Sequence, residues 1–158
     1  MYRSVKIAAI AATVALASLA GPVEAQVFYM SKNSNYNLAD QAMRAGELDR
    51  ASKLFRRAIR GSLSSETLLA AYNNLCAVDL ARGDLEDAEK ACTRAIGENR
   101  LYWRAYVNRG HVRAAMGKKE LAVADIQKAI KLKPESKLAK RVLARVQQPN
   151  NLFAEANQ

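Results

Sequence analysis

The sequence predicts an all-α protein of stacked helix-turn-helix units, and three observations carry that prediction. The chain is rich in alanine and leucine and poor in breakers, with three prolines and seven glycines in 158 residues. Such a mixture favours helix over sheet. A glycine-centred phrase recurs at Gly46, Gly83 and Gly117, spaced 37 and then 34 residues apart, and self-similarity at a period of this size marks a repeat architecture. After each glycine, apolar residues fall at i, i+3, i+4, i+7 and i+8, with one exception in the third copy, the spacing of a single buried helix face.

The elements follow in chain order. Residues 1–25 read as a signal peptide rather than as fold. Arg3 and Lys6 give a positive start, Ile7 to Leu19 carry no charge, Gly21-Pro22 breaks the run, and Val23-Glu24-Ala25 offers a small-residue cleavage site before Gln26. The apolar run falls short of the roughly 20 residues a spanning helix needs. The alanine-rich leader is bacterial in character, which places the mature chain in the periplasm or outside the cell. Residues 26–31 are a linker.

Three units fill residues 32–134, at 32–65, 66–102 and 103–134. The second helices carry the stripes Ala51, Leu54, Phe55, Ala58, Ile59 and then Ala88, Ala91, Cys92, Ala95, Ile96. In the third, Ala122, Ile126, Ala129 and Ile130 continue the pattern, but Asp125 stands where Leu54 and Ala91 stand before. Each glycine permits the tight turn between paired helices, since it adopts positive φ at little cost. Three extra residues around Ser62–Ser65 lengthen the first junction, and Ser65 is the expected cap of a helix starting at Glu66. Pro134 ends the third unit. A last helix over 135–147, with Leu138, Ala139, Val142, Leu143 and Val146 on one face and Lys137, Lys140, Arg141 and Arg145 elsewhere, suits a terminal cap. Residues 149–158 form a tail without pattern.

Period and residues together resemble the tetratricopeptide repeat family. Gly110, Ala122, Ala129 and Pro134 match its pattern in the third copy; Tyr72, Leu75, Ala88 and Ala95 in the second; Leu38, Ala51, Phe55 and Ala58 in the first. The resemblance covers about residues 32 to 134. It implies a right-handed superhelix of three repeats plus the capping helix, whose first helices line a concave groove that takes a peptide or a helix of another protein. In register, the first copy offers Asn33, Tyr36, Asn37, Asp40, Met43 and Arg44 to that groove. The second offers Asn73, Asn74, Ala77 and Leu80, and the third Arg104, Val107, Asn108 and His111. Asn37, Asn74 and Asn108 share one place in all three copies. An asparagine carries both donor and acceptor, so a row of them suits an extended backbone. Some relatives hold a C-terminal carboxylate in a clamp of basic residues and asparagines. Asn74 and Arg104 resemble two parts of it, but Tyr36 and Asp40 replace a lysine and an asparagine, and Asp40 repels a carboxylate. The clamp is therefore not expected.

Arg109 and Arg113 stand where the family has a buried leucine and tyrosine. They are expected on a solvated edge of the last repeat, the alternative being pairing with Asp125. Tyr102 and Trp103 are expected to pack between repeats. An oxidising compartment and an even count favour a Cys76–Cys92 disulfide. The family's register opposes it, setting Cys76 nearer Ala88 and Cys92 nearer Tyr72, a stagger that threatens the roughly 7 Å Cα limit. The bond is left open at this point.

Function classes narrow by subtraction. His111 is the sole histidine, so neither a metal site, a cofactor loop nor a nucleophile–base pair is in view, and no enzyme is expected. Of 25 basic and 15 acidic residues, the leader takes two and one, leaving 23 and 14. The distribution runs basic, acidic, basic along the repeats. A nucleic-acid groove does not need an acidic middle, so nucleic acid is not expected as partner. The leading expectation is an adaptor of the cell envelope that binds another protein. The alternatives are a cationic binder of anionic lipid or polysaccharide, through Lys53, Arg56, Arg57, Arg60 and the last helix, and a self-assembling scaffold.

Overall fold

A computed structural model describes residues 23–148, with side chains from residue 34 onward. Among the described residues seven helices follow one another: α1 (Val23–Arg44), α2 (Leu48–Ile59), α3 (Ser65–Arg82), α4 (Leu85–Glu98), α5 (Trp103–Ala115), α6 (Lys119–Leu132) and α7 (Lys137–Gln147). Each packs on its successor. In addition α1 touches α3, α3 touches α5 and α5 touches α7, whereas the second helices α2, α4 and α6 do not meet one another. First helices that touch and second helices that splay make a curved stack with α1, α3, α5 and α7 on the inner side. The three expected repeats are α1–α2, α3–α4 and α5–α6, and α7 is the cap.

The turns within repeats share one chemistry. Gly46, Gly83 and Gly117 sit at φ 76°, 85° and 75°. The amide after each glycine donates five residues back: Glu47 to the Ala42 carbonyl (2.9 Å), Asp84 to Asp79 (2.9 Å), Lys118 to Arg113 (2.8 Å). These bonds satisfy carbonyls that the ending helix leaves open.

Two boundaries differ from expectation. Residues 26–31 are helical rather than a linker, since α1 starts at Val23; no proline or glycine interrupts the chain between there and Gly46. The cap of α3 is Ser64, whose hydroxyl accepts from the Thr67 amide (3.3 Å), so that helix starts one residue earlier than expected. Ser136 caps α7 in the same way, accepting from Ala139 (3.2 Å). Most of the expected leader, residues 1–22, and the tail 149–158 lie outside the described residues.

The core is built from small residues opposed to a few large ones. Ala39, Ala42, Ala51, Phe55, Ala71, Leu75, Val78 and Ala88 form one cluster across the first two repeats. Val107, Ala114, Ala122, Ile126, Ala129, Ala139, Val142 and Val146 form a second, across the third repeat and the cap. Gly110 shows the closeness of the fit: a Cβ there would lie 2.6 Å from Ile126 Cγ1 and 3.2 Å from the Ala122 carbonyl. Ala39 with Phe55, and Cys76 with Cys92, occupy the same two places in the other repeats.

That register settles the geometry of the cysteines. Cys76 on α3 and Cys92 on α4 are joined, with a Cα separation of 5.2 Å. The stagger that opposed the bond does not occur, because the two places face each other directly, as Gly110 faces Ile126. Both cysteines are fully buried.

Candidate peptide-binding groove

The inner face is lined where α1, α3 and α5 run side by side, and its centre is an amide cluster. The Asn108 Nδ2 amide donates to Asn73 Oδ1 across the gap between α5 and α3 (3.0 Å), and Asn73 Nδ2 donates to Asn74 Oδ1 (3.4 Å). Asn73 is buried beneath the other two. Asn74 and Asn108 are half-exposed, while Asn37 is exposed on α1. The row of three expected from register is thus a pair tied through Asn73, with Asn37 apart. Of the amide groups in the pair, Asn74 Nδ2 and Asn108 Oδ1 remain for a bound backbone.

The α1 end carries different chemistry. The Tyr36 ring meets Phe55 edge-on at 5.8 Å, and burial, followed by the Asp40 charge, raises its phenol pKa. Asp40 accepts a hydrogen bond from Arg44 Nε at 2.7 Å. Met43 and Leu80 pack on the core, and Val107 is buried in it. Ala77 and Arg104 are exposed, the latter with its guanidinium over the Trp103 ring at 4.6 Å. Trp103 packs against the second core cluster. Tyr102 instead lines a cavity of about 560 Å³ with Glu66, Leu69, Ala70, Glu98 and Asn99. His111 is half-buried, and desolvation and then the Arg145 charge lower its pKa.

Arg109 and Arg113 do not form a solvated edge. Arg109 grips Asp125 through Nε and Nη2 (2.9 and 2.8 Å) and reaches Thr93 Oγ1 (3.2 Å). Arg113 donates to Asp125 (2.9 Å) and to Glu89 (2.7 Å), and Lys118 completes the cluster on Glu89 (2.8 Å). Asp125 is only 5% exposed. In the low-dielectric junction between α4, α5 and α6 a carboxylate needs a positive partner, and the two arginines also need it. The exception in the apolar stripe is therefore the counter-ion of the two family departures.

A second such network was not anticipated. Asp79 on α3 is fully buried and accepts from Ser52 Oγ (2.7 Å) and Arg56 Nη2 (2.7 Å) of α2, with Arg82 at 3.4 Å. Arg56 also reaches Asp87 (3.0 Å), and Arg82 reaches Asp49 (2.9 Å). Arg56 is thus drawn inward and leaves the basic stripe of α2 to Lys53, Arg57 and Arg60, all exposed. The available signal was Asp79 itself, a carboxylate between Val78 and Leu80 on a helix whose neighbouring turn is Leu75-Cys76.

Among the described residues, no group of three or more His, Cys, Asp or Glu side chains is placed to hold a metal. No described helix is long and apolar enough to cross a membrane.

Comparison with known proteins agrees with this architecture. The tetratricopeptide repeat family model matches residues 104–136. The FK506-binding protein-like protein of Mus musculus is 32% identical over 113 residues, covering 67% of this chain and 32% of that protein. Its Homo sapiens counterpart is 30% identical over the same span. This chain therefore spans about a third of the length of those relatives. Among solved structures, the second TPR domain of human RPAP3, in complex with the HSP70 peptide SGPTIEEVD, matches with a TM-score of 0.68 and 26% identity, over 76% of this chain and 98% of that one. MamA matches in fold at a TM-score of 0.69 and 23% identity, over 84% of this chain and 75% of that one. The chain has the tetratricopeptide-repeat fold, with the family model matched at residues 104–136 and three helix pairs from α1 to α6 closed by the helix α7.

Proposed function

We propose that this chain is a non-enzymatic adaptor that holds a segment of another protein in its inner groove. The observation that carries this reading is the amide cluster of Asn73, Asn74 and Asn108, which bridges two first helices and leaves a donor and an acceptor on the inner face. Unspent amide groups on a rigid scaffold suit backbone recognition without a fixed sequence. The RPAP3 domain, which is similar in fold, is known in complex with a peptide, and that likeness supports the same use of the groove here. Site-specific photo-crosslinking in intact cells tests it. A photoreactive residue at Asn37 or Asn74 is expected to capture a defined protein, and one at Arg94 on the outer side is not. Equal capture from both faces would defeat the groove reading.

The cell envelope is part of the same proposal. The positive, apolar and small-residue blocks of residues 1–25 support export, and the buried Cys76–Cys92 bond suits an oxidising compartment. The intact mass of the protein from its own cells is expected to begin at Gln26. A mass that retains Met1 would overturn export by this leader. A second reading rests on exposed Lys53, Arg57 and Arg60 of α2 with Lys137, Lys140 and Arg141 of α7. It has the chain binding an anionic membrane surface, and it requires vesicle binding that falls steeply with salt.

A further inference from the structure

The two edges of the stack differ in their charge chemistry. Successive helices alternate in direction, so the three glycine turns share one edge, and the longer connections at 60–64, 99–102 and 133–136 share the other. On the glycine edge the cations are answered: Arg50 pairs with Glu47, Arg82 with Asp49 and Lys118 with Glu89. On the other edge Arg57 and Arg60 close α2, Arg100 and Arg104 flank the start of α5, and Lys131 and Lys137 flank the last connection. All six are exposed, and none pairs with a carboxylate among the described residues. Glu66 and Glu98 share this edge, beside Tyr102, but are outnumbered. The helix dipole accounts for cations at the ends of α2 and α6. It does not account for those at the starts of α5 and α7, where the positive helix end repels them. The first turns of α2, α4 and α6 hold Asp49, Glu86 and Glu120, whereas those of α5 and α7 hold no acid. The same edge presents an apolar tip. Leu101 is 72% exposed, and its loop is pinned: the Leu101 amide donates to Asn99 Oδ1 (2.8 Å) and the Tyr106 hydroxyl to the Arg100 carbonyl (3.2 Å). A leucine is thus held out between Arg100 and the Tyr102-Trp103 pair.

We propose that this edge docks on an anionic phospholipid surface, with Leu101 entering the interface and the six cations meeting the lipid phosphates. Unpaired lysines and arginines are drawn to an anionic leaflet within a Debye length. An exposed leucine beside tyrosine and tryptophan suits the boundary between headgroups and acyl chains. Neither the leucine nor the cations at the starts of α5 and α7 serve the fold, and one partner uses both. The assignment rests on the membrane reading and gives it a face: the helix ends at the three longer connections, rather than the sides of α2 and α7. Docked by helix ends, the stack stands with its inner face turned sideways, so the groove stays open to a protein segment.

The test is sedimentation of the protein, as its own cells process it, with vesicles of equimolar phosphatidylglycerol and phosphatidylcholine. Trp103 is the sole tryptophan and lies two residues from Leu101, so quenching of its fluorescence by brominated phosphatidylglycerol reports contact at this edge. Salt-sensitive binding with quenching is expected. The pair R60E and R100E is expected to weaken binding at least tenfold, and the pair K53E and K140E less than threefold. Leu101→Ser is expected to abolish most of the quenching. Far-UV circular dichroism checks that these exposed substitutions leave the fold intact. Binding that K53E with K140E weakens as much as R60E with R100E, without quenching of Trp103, would overturn the edge and leave the membrane reading standing. No binding to these vesicles would overturn both and leave the groove reading untouched. Equal binding to pure phosphatidylcholine would overturn the role of the cations. Retention on alginate that needs Arg60 and Arg100 but not Leu101, without vesicle binding, would overturn the lipid in favour of a soluble polyanion.

Discussion

Single residues decide how closely the helices approach. Gly110 is one such residue, since its missing Cβ would sit 2.6 Å from Ile126 Cγ1, a methylene of a fully buried side chain. Gly110→Ala must push α5 from α6 and is expected to destabilise by about 1–3 kcal/mol, read as a fall in the denaturation midpoint at unchanged slope. An unchanged midpoint would mean the close approach is not needed. Asp125 sets the other extreme. Asp125→Ala leaves Arg109 with Thr93 alone and Arg113 with Glu89 alone in a largely buried junction, and the expected loss is about 3 kcal/mol. The sequence marked Asp125 as the one break in an apolar stripe and named it as a candidate partner of the two arginines. What it did not carry was burial. A carboxylate and two guanidiniums look solvated when counted singly, and only the meeting of α4, α5 and α6 makes their pairing obligatory. Asp79 was missed for the same reason: its partners Ser52 and Arg56 lie 27 and 23 residues away.

Helices and turns were far more legible, because their signals are local. The glycines, the stripe spacing and Pro134 placed all three hairpins and the cap. The errors lie at α1, which begins before the expected linker ends, and at the one-residue shift of the Ser64 cap. The disulfide shows where local signals stop. The places of Cys76 and Cys92 are filled by Ala39 and Phe55 in one repeat and by Gly110 and Ile126 in another, a small residue opposite a large one each time. That reciprocity of volume was present in the sequence and pointed to direct contact. Closing a loop of about 15 residues stabilises by roughly 3 kcal/mol. Reductant applied to the unfolded chain, followed by refolding, is expected to lower the stability of the α3–α4 hairpin by that order. Equal stability with and without reductant would show that the bond adds nothing. The α4–α5 contact has its own pH signature. The Lys118 hydrogen bond, and after it Arg113, hold Glu89 below the ordinary carboxylate value of 4.5. The unfolded chain then takes up that proton first. The contribution to stability is complete above pH 4.5 and fades as pH falls through the lower native value. Lys118→Gln is expected to raise the Glu89 pKa toward 4.5, measurable by NMR titration.

At the scale of the whole molecule the two repeat junctions are built on one plan with the charges exchanged. In the first, Ser52 and Arg56 of α2 face Asp79 of α3. In the second, Glu89 and Thr93 of α4, the residues in register with Ser52 and Arg56, face Arg113 and Arg109 of α5. Arg113 is in register with Asp79. A repeat stacked on the wrong neighbour therefore meets its own sign of charge in a buried place, which costs several kcal/mol against the correct order. Excision of residues 69–102 removes one full period of 34 residues and brings α2 against α5, so that Arg56 confronts Arg109 and Arg113. That shortened chain is expected to lose its cooperative thermal transition. Adding Ser52→Glu and Arg56→Thr rebuilds the Glu89–Thr93 surface on α2 and is expected to restore the transition, followed by circular dichroism. Shortened chains that melt alike with and without the two substitutions would show that apolar packing alone orders the repeats. Recovery only with them would show that the order of the stack, and with it the polarity of the groove, is written in two buried charge networks.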